Sequence, residues 1–172
     1  MPPLDGLVTK LSSIHGYGVF TTRPFREGEV ICFGDGVLYR ETDEWDDEYS
    51  LVLPGYEPGP DGEEGPPLYL DLTDQTRWIN HACEPNTEVD TKWNPRTKTA
   101  VPFWIALRDI EAGEELFYDY AFSAELAMRC LCGMKKCRGV IVDEDEIDDV
   151  PDELQQYVCR PTRPSPKKVK VA

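Results

Sequence analysis

Apolar residues along this chain come in short runs separated by glycine, proline and charge, and few runs are long enough for a helix. Leu7–Leu11, Tyr17–Thr21, Val30–Phe33 and Gly36–Tyr39 read as β-strands, interrupted by glycines and by Pro24. Strand-like segments resume at Leu68–Leu72, Thr87–Trp93 and Thr99–Leu107, with NPRTK at 94–98 as a hairpin connection, and Glu115–Tyr118 adds a further short strand. Ser123–Met128 suggests a single helical turn. The pattern predicts one mainly-β domain of many short strands, without internal repeats.

The polar stretches divide this domain. Residues 41–49 (ETDEWDDEY) hold six acids and read as a short acidic helix or a loop; residues 54–67 are a Pro/Gly-rich loop with no core content. Together they form an insert over about 41–67. Residues 143–153 carry eight acids and predict a solvated, flexible segment. From residue 160 the sign reverses, with five basic residues, three prolines and no acid, so residues 143–172 are expected to be an acidic, then basic flexible tail. Within it, Pro164 to Lys170 (PSPKKVK) fits a nuclear-localisation signal and fits equally a solvated basic end.

At 172 residues the chain has room for one domain with a real core. Its formal charge, 18 − 33 = −15, argues against direct nucleic-acid binding by the body and favours a basic partner such as a lysine-rich peptide, although acidity also serves solubility alone. No signal-peptide core and no run of about eighteen apolar residues is present, so a soluble, non-secreted protein with no membrane partner is expected.

Four clusters carry candidate chemistry. In HGYGVF, His15 to Phe20, two glycines one residue apart either make an ordinary turn or let backbone amides approach a ligand. RWINHACEPN, Arg77 to Asn86, packs a guanidinium, an indole, an amide, an imidazole and a thiol together; Pro85 ends any helix there. Such variety suits a nucleoside with a charged tail, or a turn around a satisfied core histidine. In EELFYDYAF, Glu114 to Phe122, alternation separates Phe117 from Tyr118, and the two phenols of Tyr118 and Tyr120 could orient an amine or pack in a core. Finally, Cys130, Cys132 and Cys137 in CLCGMKKC need one more ligand for tetrahedral zinc, and Cys83 is the natural fourth; Lys135 and Lys136 are expected to help keep the thiols ionised. Cys32 reads as a core residue and Cys159 as a free thiol.

In order and spacing, GYG, RWINHACEPN, ELFYDY and CLCGMKKCRG resemble the SET-domain protein-lysine methyltransferases over residues 5–142. Ala82 stands where that family more often has serine. The resemblance implies a SET domain over 5–122, a post-SET zinc motif over 123–142, and no room before residue 5 for a pre-SET module. It implies a β-clip fold of small sheets, with NHACEPN threaded as a pseudoknot. It also implies that S-adenosylmethionine lies along His15, Gly16 and Tyr17 and is held by Arg77, Trp78, Asn80, His81 and Tyr120, with Val140 or Ile141 capping the adenine. Tyr49 would line a lysine channel with Tyr118 and Tyr120, Tyr120 being the catalytic tyrosine. Zinc would sit on Cys83, Cys130, Cys132 and Cys137. The implied activity is mono- or di-methylation of a histone lysine in the nucleus, or in nucleus and cytoplasm. The alternatives are another protein lysine or small amine as substrate, or a SET-like binding module without turnover.

Overall fold

The computed structural model describes residues 4–44, 49–55 and 65–160. Residues 45–48, with three of the insert's acids, most of the Pro/Gly-rich loop and the basic segment 164–170 lie outside them. Among the described residues, twelve short strands make five small sheets, in the mainly-β architecture expected. β1 (Leu7–Leu11) and β2 (Tyr17–Thr21) form a hairpin. β3 (Val30–Phe33) joins β8 (Thr87–Asn94) and β9 (Thr99–Ala106) in a sheet ordered β3-β9-β8. β4 (Gly36–Arg40), β5 (Ser50–Leu53) and β6 (Leu68–Leu72) form a second sheet ordered β4-β6-β5, which leaves β5 as an edge strand. β7 (Asn80–His81) pairs with β10 (Phe117–Tyr118), and β11 (Met128–Arg129) with β12 (Val140–Ile141).

Alternation explains the central hairpin. Ala100, Pro102, Trp104 and Ala106 of β9 are buried while their neighbours are not, as expected for a strand with one face on the core. Trp104 is fully buried and packs among Phe25, Ile31, Leu72, Ile79, Ile110 and Leu116. The strands predicted at 87–93 and 99–107 end one residue away from their expected limits, at Asn94 and Ala106. The strand expected from Glu115 is narrower: Glu115 makes only an isolated bridge to Phe20, and pairing begins at Phe117.

The β7–β10 pair is the one parallel ladder among the described strands, with Asn80 opposite Phe117 and His81 opposite Tyr118. Side chains extend it. The Asn86 amide donates to the Glu115 carbonyl at 2.8 Å and its oxygen accepts from Phe117 N–H at 2.8 Å, while the Thr87 hydroxyl donates to the Phe117 carbonyl. The NHACEPN segment is thus held against the tyrosine segment along its length, the adjacency that the expected pseudoknot requires.

The acidic run after residue 143 departs from expectation. It is not a solvated tail: Val150 is buried with Ala124, Val140 and Val142, and Ile147, Leu154, Tyr157 and Val158 pack on the same cluster. Eight acids mask an apolar residue at every third or fourth position, and these carry a 3₁₀ turn (Glu144–Glu146) and the one-turn helix α1 (Asp152–Gln155). Gly139 allows this docking. It has φ +77°, and a Cβ there would strike the Tyr157 carbonyl. Gly139→Ala should therefore cost more than about 1 kcal/mol, read as a lower urea midpoint at unchanged slope; a midpoint equal to wild type would contradict the close approach.

Candidate active site and metal centre

The turn between β1 and β2 is the open side of the site. His15, Gly16 and Tyr17 are exposed, and nothing lies within 4 Å of where a Gly16 Cβ would stand. Asn80, buried beneath, ties this turn down. Its amide nitrogen donates to the Tyr17 carbonyl at 2.8 Å, the Glu115 carboxylate at 3.1 Å and the His15 carbonyl at 3.3 Å. Its hydrogens are therefore committed, and Oδ1 is the acceptor left open. Glu115 reaches Asn80 only because Gly18 has no side chain, since a Cβ at Gly18 would overlap the Glu115 carboxylate.

Arg77 and Trp78 come from a 3₁₀ turn (Gln75–Trp78) capped by Asp74. The Trp78 ring lies 5.6 Å from Tyr17 and 5.3 Å from Tyr49, and the Arg77 guanidinium stands 4.3 Å over the Tyr49 ring. Turn, middle motif and insert therefore meet in one cation–aromatic cluster. Arg77 Nε is buried and has no hydrogen-bond partner. An orphaned guanidinium donor, an open amide acceptor and an exposed glycine turn fit a ligand carrying both a carboxylate and an ammonium group.

The tyrosines stand beside this cluster. The rings of Tyr118 and Tyr120 are 4.7 Å apart; Tyr118 packs edge-on against Trp104, and Tyr120 against Phe122. Phe117 faces the opposite side, among the cysteines. The Tyr120 hydroxyl donates to the Ile79 carbonyl at 3.0 Å. Burial, then the nearby Tyr49 phenol, pushes Tyr120 up to about 12. Burial, then Tyr120, pushes Tyr118 well above the usual phenol range. Both hydroxyls are thus neutral hydrogen-bonding groups at physiological pH. They open onto a cleft of about 1070 Å³ between the β5 edge, β8 and residues 118–128; among the described residues its lining includes Glu41, Glu88 and Asp119 and no lysine or arginine.

His81 is turned inward. Its Nδ1 accepts the Tyr120 N–H at 3.2 Å, which leaves the proton on Nε2, 3.3 Å from Cys83 Sγ. Neither ring nitrogen is free for a ligand, so His81 serves the site as a strut. Ile141 packs with Ile14, Phe117, Tyr120 and Phe122, whereas Val140 faces the C-terminal cluster, so only Ile141 lies on the site's side.

Residues 16–121, more than half of the chain, match the SET domain. The chain belongs to the SET-domain family. Among similar proteins, histone-lysine N-methyltransferase 2B of Homo sapiens is 36% identical over 142 residues, 74% of this chain and 5% of that protein. The H3 lysine-4 specific histone-lysine N-methyltransferase of Candida albicans is 32% identical over 137 residues, 76% of this chain and 13% of that protein. Su(var)3-9 of Drosophila pseudoobscura pseudoobscura, also named a histone-lysine N-methyltransferase, is 29% identical over 153 residues, 77% of this chain and 24% of that protein. The chain thus spans a quarter or less of the length of these relatives.

Beside this SET domain stands a group of four thiols. The Sγ atoms of Cys83, Cys130, Cys132 and Cys137 all lie within 4.8 Å of one another, with Cys83 and Cys130 3.7 Å apart. A tetrahedral zinc with sulfur at about 2.3 Å needs sulfur–sulfur edges of about 3.8 Å, so the group fits a metal ion. Hydrogen bonding with Cys130, then with His81 and the Arg138 N–H, pulls the Cys83 thiol well below its usual range; Cys83 in turn pushes Cys130 up. The expected help from Lys136 is corrected: its ammonium lies 3.7 Å from Glu84 and its N–H donates to the same carboxylate. Besides His81 Nε2, the donors to sulfur are backbone N–H groups, of Cys132 to Cys130, Arg138 to Cys83 and Gly139 to Cys137, at 3.3–3.4 Å. The sequence reading missed Glu115, Asp119, Phe122 and Arg138, whose roles depend on partners distant in sequence.

Elemental analysis should find about one metal ion per chain. Cys132→Ser should lose it together with cooperative folding of the C-terminal segment, since such sites contribute on the order of 10–16 kcal/mol of coupled binding and folding; full metal content in that variant would contradict the four-thiol site. A second expectation concerns alkali. The Tyr120 pKa is raised in the folded state, so its contribution to stability is complete below about 10 and is lost as pH rises toward about 12. Phenolate absorbance should rise in two stages, with the Tyr120 share removed in Tyr120→Phe and appearing only as the fold opens. A single titration near 10 would contradict its burial.

Proposed function

We propose that this chain is an S-adenosylmethionine-dependent protein-lysine N-methyltransferase, that its substrate is a histone-tail lysine, and that the four cysteines hold a structural zinc. The observation that carries the reading is the pair of neutral phenols, 4.7 Å apart, at one wall of an acidic cleft and next to the Asn80–Arg77 cluster. Bound along His15–Tyr17, S-adenosylmethionine would supply an electrophilic methyl group.

The chain's own residues would supply the rest. Arg77 offers its unpaired donor to a carboxylate and Asn80 its open oxygen to an ammonium. Free lysine is almost wholly protonated at neutral pH, and the reactive form is the neutral amine. Tyr118, Tyr120 and Phe122 line the cleft and Tyr49 stands near Tyr120, so a lysine amine seated against these rings would be desolvated and its pKa lowered. The Tyr118 and Tyr120 hydroxyls, kept neutral by burial, hold the amine and direct its lone pair, which is chiefly a positioning effect. Glu41 and Glu88 favour a basic peptide, and the free edge of β5 offers it backbone hydrogen bonds. The names of the relatives favour a histone, and with it residence in the nucleus.

Product state tests the reading. A Tyr118 hydroxyl can hold a water on the target amine and occupy the space of further methyl groups. Mass spectrometry of a lysine peptide should show mono-methylation with some di-methylation by the unmodified chain. Tyr118→Phe should shift the product toward higher methylation with little loss in the first step, and Tyr120→Phe should remove most turnover. Predominant tri-methylation by the unmodified chain, or full turnover by Tyr120→Phe, would overturn the assigned roles.

A further inference from the structure

Arg138 directly follows the metal-site residue Cys137, and its side chain is 8% exposed. Three elements meet on it. Its N–H donates to Cys83 Sγ, its carbonyl accepts the Cys159 N–H at 2.7 Å, and its guanidinium binds both oxygens of Asp119, at 2.6 and 2.7 Å. Asp119 lies between Tyr118 and Tyr120. Its carboxylate also accepts the Ala121 N–H at 3.2 Å, and Ala121 has φ +45°, a left-handed conformation that a non-glycine residue adopts only when held. Oδ1 of Asp119 stands 3.4 Å from the accepting nitrogen of His81. Two acceptors tolerate that approach because the guanidinium takes up the carboxylate's charge. Burial works to raise the Asp119 carboxyl, but the Arg138 guanidinium, with the Ala121 N–H and the His81 ring, lowers it on balance.

Two routes therefore run from the Cys83 sulfur to the backbone of Tyr120. One passes through the His81 ring, the other through Arg138 and Asp119. A buried ion pair seldom adds more stability than an apolar pair of the same volume, because desolvation offsets the attraction. What a two-point guanidinium–carboxylate contact adds is a fixed direction.

We infer that Asp119 and Arg138 are a positioning pair, which sets the aim of the Tyr118 and Tyr120 rings from the four-cysteine centre. The inference rests on the methyltransferase reading for its kinetic consequence but not for its structural one. An intact pair holds the turn at Ala121, and a loosened pair lets the two phenols drift while cofactor and peptide still bind.

The test is Arg138→Lys, which keeps the charge and loses the fork, beside Asp119→Asn. Val150→Ala serves as a control that loosens the same C-terminal segment without touching the pair. Tyrosine rings are labelled with ¹³C, and the Tyr118 and Tyr120 signals are assigned by phenylalanine substitution. In metal-loaded Arg138→Lys both signals should move while metal content stays at one per chain, and chelator should strip the metal faster. With a lysine peptide, kcat should fall about 10- to 100-fold, with KM for peptide and cofactor within about twofold of wild type. Asp119→Asn should follow the same pattern in part. Unmoved tyrosine signals in metal-loaded Arg138→Lys, or an equal loss of kcat in Val150→Ala, would overturn the pair's positioning role. Wild-type protein without turnover on any lysine peptide would overturn the methyltransferase reading instead, and the tyrosine signals would still decide the pair.

Discussion

The short parallel ladder between Asn80–His81 and Phe117–Tyr118 is the contact on which the site depends. It is only two residues long, and a ladder that short is not stable alone. Asn86 and Thr87 supply the missing bonds from their side chains, and a buried Asn86 left without them would be costly. Once the ladder forms, Asn80 lies under the glycine turn, Tyr120 reaches the Ile79 carbonyl, and the tyrosines open onto the acidic cleft. The exposed glycine turn and the cleft-lining phenols are then parts of one local structure.

The second constraint comes from the C-terminal segment. Cys83 belongs to the middle motif, whereas Cys130, Cys132 and Cys137 come after the tyrosines, so a metal shared by the four thiols would tie the C-terminal segment to the middle motif. The apolar cluster around Val150 holds the same segment from its other side. Because the sulfur donors are three backbone N–H groups and the His81 ring, the centre needs an ordered turn more than it needs neighbouring lysines.

Much of this was legible in the sequence, and the limits have physical causes. Long alternating strands such as 87–94 and 99–106 declare themselves because a period of two persists over eight residues. Asn80–His81, Phe117–Tyr118, Met128–Arg129 and Val140–Ile141 are too short to have a period. Ser50–Leu53 lies between acids and prolines and carries no turn signal of its own. Dense motifs marked Asn80, Tyr120 and the four cysteines as candidates through their resemblance in order and spacing, and the fold brings Asn80 and Tyr120 into one region and the four thiols into one group. The inward turn of His81, the Gly18–Glu115 approach and the Asp119–Arg138 pair depend on partners 19 to 97 residues away and leave no local mark. The segment after 143 was misread because charge outnumbers, and so hides, the apolar residues that dock it.

In the proposed function these observations are joined by the protonation and aim of one amine beside two neutral phenols. The most direct measurement is transfer of labelled methyl from S-adenosylmethionine to mixed core histones, with Tyr120→Phe in parallel. Label on a histone lysine with the unmodified protein, and nearly none with Tyr120→Phe, is the expected result. Cofactor binding without label, or label that survives Tyr120→Phe undiminished, would contradict catalysis at this site.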